Sequence, residues 1–170
     1  LSNTGNSFAF ITLLKEIIPA LKKRDLTKQF KLQIYGGGDF KYEFLRKALI
    51  DNGIEIMGFV DNLEAELKDS AFSIIPHNKF SHKVSHTRVL HNWSIGLPII
   101  LFEDSALAMP ELMHNFNCLL AKDAKEFVNY MAQLIDDKDT RLKLIQNGKE
   151  TLKEKFSVQN VTNEIIKKYG

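Results

Sequence analysis

Thr87-Arg88-Val89-Leu90-His91 opens a helical pattern directly behind a polar loop, and it is the segment best suited to hold an anion. The first turn of a helix leaves backbone N–H groups unpaired and carries the positive end of the helix dipole, so a phosphate binds there without any dedicated motif. Arg88 would add a planar fork of donors that matches two phosphate oxygens. On spacing alone, a solvated surface arginine accounts for it equally well. A second candidate is Gly36-Gly37-Gly38-Asp39, where backbone free of side-chain bulk can approach a phosphate or a sugar. This run lacks the third glycine of G-x-G-x-x-G and the acidic ribose reader that should follow, so by itself it reads as a tight turn.

His77, His82, His86 and His91 raise the question of a metal, since His82 and His86 are spaced to share a helix face. No cysteine accompanies them, no H-E-x-x-H is present, and acidic residues are distant. They read as polar loop histidines, and neither a metal site nor a cofactor is expected. Cys118 is the only cysteine, so an internal disulfide is impossible and a reducing cytosol is the expected compartment. Its apolar neighbours make it an inert core thiol.

The elements that must position these groups follow from hydrophobic period. Phe10, Leu13, Leu14, Ile17, Ile18 and Leu21 recur at helical spacing, which predicts a helix from Ser7 to Arg24, capped by Asn6 or Ser7 and kinked or shortened by Pro19. Lys31 to Tyr35 reads as a strand, Tyr42 to Asn52 as a helix stopped by Gly53, Ile54 to Val60 as a strand, and Asn62 to Asp69 as a short helix. Ala71 to Ile75 and Ile99 to Phe102 are apolar strands of the kind buried in parallel sheets. Between them Thr87 to Ile95 is helical. Met109 to Met113 reads as a helical turn and Asn117 to Ala121 as a last strand. Asp123-x-x-Glu126 resembles a capping box ahead of two amphipathic helices, and Ser157 caps a final one to about Tyr169. Alternation at this pitch predicts a single-domain, doubly wound, Rossmann-like α/β parallel sheet with C-terminal helices. Its ligand crevice should lie beyond the carboxyl ends of the strands, at Gly36–Phe40, Gly58–Asn62, Pro76–Arg88 and Phe102–Pro110.

Composition sets the outer bounds. In 170 residues, 44% are hydrophobic and 26% charged, enough to bury a core and too apolar for a disordered chain. With 23 basic and 21 acidic residues the formal net charge is +2, which gives no strong pull toward nucleic acid or an anionic membrane. No apolar run approaches the roughly 20 residues of a spanning helix. The chain opens Leu1-Ser2-Asn3-Thr4-Gly5, with neither an initiator Met nor a signal-peptide profile, and reads as a segment of something longer.

Four blocks then fall into a familiar order. Leu32-Gln33-Ile34-Tyr35-Gly36-Gly37-Gly38, Gly58-Phe59-Val60-Asp61-Asn62-Leu63, Ser70-Ala71-Phe72-Ser73-Ile74-Ile75-Pro76 and Gly96-Leu97-Pro98-Ile99-Ile100 together resemble the C-terminal domain of GT-B glycosyltransferases of group 1. Asn6 to Lys22 resembles that family's first helix, so the resemblance covers essentially the whole chain. It implies a nucleotide-sugar donor bound here as substrate, and an acceptor glycan, lipid or protein docked on a separate N-terminal domain. It assigns Gly37, Gly38, Phe59 and Val60 to nucleotide contacts. It also places Arg88 opposite the pyrophosphate, three residues before the family's ribose-binding glutamate. Thr87, Val89 and His91 complete the candidate donor site.

Transfer with anomeric retention and without an obligatory metal is the implied chemistry, with the isolated domain inactive. A cytoplasmic location is expected, at the membrane periphery if the other domain docks there. The chain departs from the family at E-x7-E, whose two carboxylates fall on Lys83 and His91. A neutral imidazole offers ribose one donor and one acceptor where a carboxylate offers only acceptors. The strand and basic loop that precede the family's first helix are also absent. The alternative function is therefore a non-catalytic nucleotide-binding or assembly domain that kept the fold. A flavodoxin-like or receiver-like regulator is disfavoured by the lack of an acidic cluster at the first strand end.

Overall fold

Ile99-Ile100-Leu101-Phe102 is apolar at every position, and none of the four residues is more than 3% exposed. Only a strand covered on both faces tolerates that pattern. In the computed structural model, which describes residues 4–36, 40, 42–77, 86–157, 160, 162, 166 and 167, this strand is β4 (Ile99–Phe102). The others are β1 (Gln33–Tyr35), β2 (Glu55–Gly58), β3 (Ser73–Ile75) and β5 (Leu119–Ala121). Helices α1 (Thr4–Thr12), α2 (Ile18–Lys23), α3 (Glu43–Asp51), α4 (Leu63–Leu67), α5 (His86–Ile95), α6 (Ser105–Ala108), α7 (Ala124–Asp136) and α8 (Lys138–Phe156) alternate with or follow them. Ile100 and Phe102 enter a core with Leu13, Ile17, Leu21, Leu49, Phe127 and Met131. Ile99 and Leu101 enter a second core with Val89, Trp93, Leu112, Leu152 and Phe156 on the opposite face. Burial of each large side chain contributes about 1.5–3 kcal/mol, so the two cores hold three layers together. This is the doubly wound, Rossmann-like parallel sheet that the alternation predicts.

All strand pairs are parallel. β3 pairs with β4 in the register Ser73 to Ile99, Ile74 to Ile100 and Ile75 to Leu101, and β4 pairs with β5. β1 pairs with β2, with an irregularity between Ile34 and Tyr35. Ile34, Ile56 and Ile74 pack against the same core as Ile100, so both ladders belong to one layer. Phe30, just before β1, meets Phe72, just before β3, edge-on with ring centroids 6.2 Å apart. The two ladders thus face each other along β1 and β3, yet among the described residues no backbone pairing joins them.

The first helix departs from expectation in an instructive way. Pro19 has no N–H and crowds the carbonyl four residues back. The chain neither stops nor shortens there. It widens into a π turn at Leu13–Ile17, in which the Ile18 N–H donates to the Leu13 carbonyl, and continues as α2 with Pro19 in its first turn. The helix also starts earlier than expected, at Thr4, so Asn6 lies inside it. The helical turn read at Met109–Met113 is instead α6, four residues earlier, because the residue before Pro110 is driven out of the helical region. The caps of α7 and α8 follow the sequence: Asp123 accepts from Glu126 N–H at 2.8 Å and Asp137 from Thr140 N–H at 2.9 Å. Ser157 accepts from Asn160 N–H at 3.3 Å. Among the described residues no helix is long and apolar enough to cross a membrane.

Candidate functional site

The carboxyl edge of the sheet is shaped first by its glycines. Gly36 leaves β1 at φ 132° and Gly58 leaves β2 at φ 72°, conformations that side-chain-bearing residues rarely adopt. Gly58 turns the chain so that Phe59 stands 78% exposed, a large aromatic face offered to solvent. Val60 beside it is half-buried. Asn62 closes the turn by accepting from Ala65 N–H at 3.1 Å at the start of α4. Gly37 and Gly38 lie outside the described residues.

Beyond β3 the chemistry is denser. Arg88 sits in the first turn of α5, exposed, and its Nη2 donates to Asn6 Oδ1 of α1 at 2.7 Å. Structure around the guanidinium withdraws some of its hydration and lowers its pKa, but a guanidinium stays charged at any working pH. Thr87 is exposed next to it. Val89 is fully buried in the second core, so what it can offer a ligand is its backbone. His91 is half-buried one turn further along.

His77, two residues past β3, is expected with its neighbours to be a polar loop histidine, and the structure places it in the interior instead. It is 5% exposed, and among the described residues neither ring nitrogen has a hydrogen-bond partner. Burial, with the Arg88 charge adding to it, lowers its pKa to about 4, so the imidazole is neutral at physiological pH. An unpaired buried polar group costs about 1–3 kcal/mol, and most are satisfied in folded proteins. The sequence marks it as one of several histidines after an apolar strand, and the strand end at Pro76-His77 is the sign that this one turns inward. Lys83, His82 and the His86 side chain lie outside what is described.

Other features fall away from this edge. Cys118 is buried, and desolvation pushes its thiol up to about 12, so it is not a nucleophile. A cavity of about 440 Å³ lined by Asn62, Ala65, Lys68, Ser70, Gly96 and Leu97 lies at the opposite end of α5 from Arg88. Among the described residues the carboxyl edge brings together a cation, a helix N-terminus, an unpaired neutral imidazole and, further along, an exposed aromatic ring. That set suits an anion joined to an aromatic base.

Comparison with known proteins agrees with the architecture. HepE from Anabaena, solved with UDP and glucose, superposes with a TM-score of 0.70 at 15% identity, covering 89% of this chain and 43% of its own. TarM from S. aureus gives 0.72 at 16% identity, covering 91% and 31%. The C-terminal domain of LpcC, a group 1 family glycosyl transferase from Francisella tularensis, gives 0.64 at 16% identity, covering 92% and 83%. The chain therefore spans less than half the length of HepE or TarM and most of an isolated C-terminal domain. No curated protein matches the sequence. The profile of the family described as Glycosyl transferases group 1 matches residues 3–137, and over that span the chain belongs to the group 1 glycosyltransferases.

Proposed function

We propose that this chain binds the nucleotide-sugar donor of a glycosyltransferase that moves a sugar onto a glycan, lipid or protein acceptor. The observation that carries the reading is the juxtaposition of Arg88, the start of α5 and the unpaired His77 imidazole at the carboxyl end of β3. In doubly wound sheets ligands sit at this edge. HepE, of the same fold, holds UDP and UDP-glucose. In this reading Arg88 and the α5 N-terminus meet the diphosphate, and Phe59 and Val60 with Gly37 and Gly38 border the nucleoside. His91 contacts the ribose through one donor and one acceptor.

Charge that builds on the departing diphosphate would be stabilised by the guanidinium and the helix end, which do the electrostatic work without requiring a metal ion. The bond from sugar to phosphate breaks, the acceptor hydroxyl oxygen bonds the anomeric carbon, its proton passes to the departing diphosphate or to water, and the diphosphate leaves with Arg88 still opposite it. Calorimetric titration of the 170-residue chain with UDP, GDP and zinc chloride tests the assignment. Weak saturable binding of a nucleotide is the expected result. Tight stoichiometric zinc binding without nucleotide binding would replace the donor site with a metal site.

A further inference from the structure

Arg88 Nη2 donates to Asn6 Oδ1 at 2.7 Å, a bond that joins α5 to α1 across 82 positions of sequence. Packing fixes both backbones. On α1, Ala9 and Leu13 are buried and Phe10 stacks on Phe40 with ring centroids 5.2 Å apart; on α5, Val89 and Trp93 are buried. What stays free to move at this point is the long side chain of Arg88, and the half-buried Asn6 is the group that takes hold of it. The chemistry of the pair is selective in what it leaves available. Arginine has donors only, so the amide must present its oxygen. Nη2 carries two hydrogens, one on each of the two paired edges of the guanidinium, so a single bond to Asn6 leaves the other edge with both donors for two oxygens of one phosphate. An amide is also neutral, and it holds the guanidinium without cancelling its charge. Among the described residues Arg88 enters no ion pair; the two pairs there are Lys31 with Glu55 and Arg46 with Glu43. Helix stability does not account for an asparagine inside α1, since alanine is the better helix former.

We propose that Asn6 is a positioning residue for the donor: its amide oxygen holds the Arg88 guanidinium in the orientation that meets the diphosphate, so that the side chain is ordered before the ligand arrives. The inference rests on the donor-site reading above. A rotamer-rich side chain that becomes ordered only on binding weakens the complex, and one that is already ordered does not. Asn6 touches Arg88 and acts on the ligand through it. A carboxylate in its place would grip the guanidinium more tightly and at the same time oppose the charge that the phosphate needs.

Calorimetric titration of the 170-residue chain with a nucleoside diphosphate, UDP or GDP, and with the matching nucleoside tests this in the parent, Asn6→Ala, Asn6→Asp, Arg88→Ala and the double variant Asn6→Ala/Arg88→Ala. Asn6→Ala weakens the diphosphate about three- to tenfold, the effect of ordering one long side chain on binding. It leaves the nucleoside unaffected and Tm unchanged or higher, a combination that a merely structural role would not produce. In the Arg88→Ala background the same substitution has no further effect, because the group it positions is gone. Asn6→Asp weakens the diphosphate at least as much as Asn6→Ala, although it keeps Arg88 in place. Parental diphosphate affinity in either Asn6 variant, an equal loss for diphosphate and nucleoside, or an undiminished loss in the Arg88→Ala background would overturn the positioning role and leave the donor site standing. Parental diphosphate affinity in Arg88→Ala would overturn the donor-site reading, and the role of Asn6 with it.

Discussion

Two buried polar side chains at opposite ends of the satisfaction scale show how single residues divide between stability and binding. Asn117 is 0% exposed and completely paired: Oδ1 accepts from Met113 N–H at 2.9 Å, and Nδ2 donates to the Glu111 carbonyl at 2.8 Å and to Thr151 Oγ1 at 3.0 Å. His77 is nearly as buried and, among the described residues, unpaired. Removing an unpaired group relieves a cost instead of creating one, so His77→Leu should leave stability at pH 7 unchanged or higher in urea unfolding while weakening UDP binding. Its pH dependence has a fixed sign. The ordinary histidine value of 6.5 applies to the unfolded chain and about 4 to the folded one, so as pH falls through that window only the unfolded state gains the proton. Stability is therefore lost between about pH 6.5 and 4, by about 3 kcal/mol, and His77→Leu should flatten that part of the curve. A variant with the same acid limb as the parent would place the imidazole in water. Arg88 makes a different prediction. A charge-assisted contact contributes about 1.5–3 kcal/mol, so Arg88→Ala should weaken UDP or GDP at least about tenfold and leave uridine or guanosine nearly unaffected. Equal affinities in a folded Arg88→Ala variant would make it a surface charge. Arg88 is visible in the sequence because a helix start is a local pattern; the isolation of His77 is set by non-local packing and is not.

At the scale of elements, α8 meets α5 through Gly148, where an added Cβ would stand 2.5 Å from Trp93 Cδ1. Replacing a helical glycine by alanine ordinarily gains about 1 kcal/mol of helix propensity. Here the contact is closer than real Cβ atoms allow, and Trp93 is 2% exposed with its Nε1 donating to the Asn117 carbonyl at 3.1 Å, so the ring has little freedom to move. Overpacking of this kind costs about 1–3 kcal/mol. Gly148→Ala should therefore lower stability, with a change in the fluorescence of the lone tryptophan, and a gain in Tm would show that the helices shift apart freely. The same helices show what a sequence reveals. Asp123 and Asp137 cap as their positions predict, because a cap is written within four residues. Apolar β3 and β4 and the order of strands and helices are legible for the same reason. The π turn at Leu13–Ile17 and the four-residue displacement of α6 trace to Pro19 and Pro110, which show where a regular helix cannot run but not which turn replaces it.

At the scale of the whole molecule, the described residues of the candidate site lie along one edge of the parallel layer and form a single wall. Arg88 and Thr87 are exposed there, and Phe59 stands out into solvent. Binding needs only that wall, because a diphosphate can be held by a guanidinium and a helix end with water on its far side. Sugar transfer needs more. The acceptor hydroxyl must be held in line with the anomeric carbon, which is worth about 7–11 kcal/mol of barrier when geometry is fixed, and water must be kept from competing as the acceptor. Among the described residues nothing on this edge supplies an acceptor surface, and the chain covers 43% of HepE and 31% of TarM. The 170-residue chain should therefore bind UDP or GDP and yet release no nucleotide from UDP-sugars or GDP-sugars above the uncatalysed rate, whether glycan, lipid or peptide acceptors are present or absent. Nucleotide release coupled to glycosylated product is the measurement that decides it. Sustained turnover by these residues alone would mean that the carboxyl edge builds both walls itself, and that the exposure of Arg88 and Phe59 belongs to an open form of a complete active site.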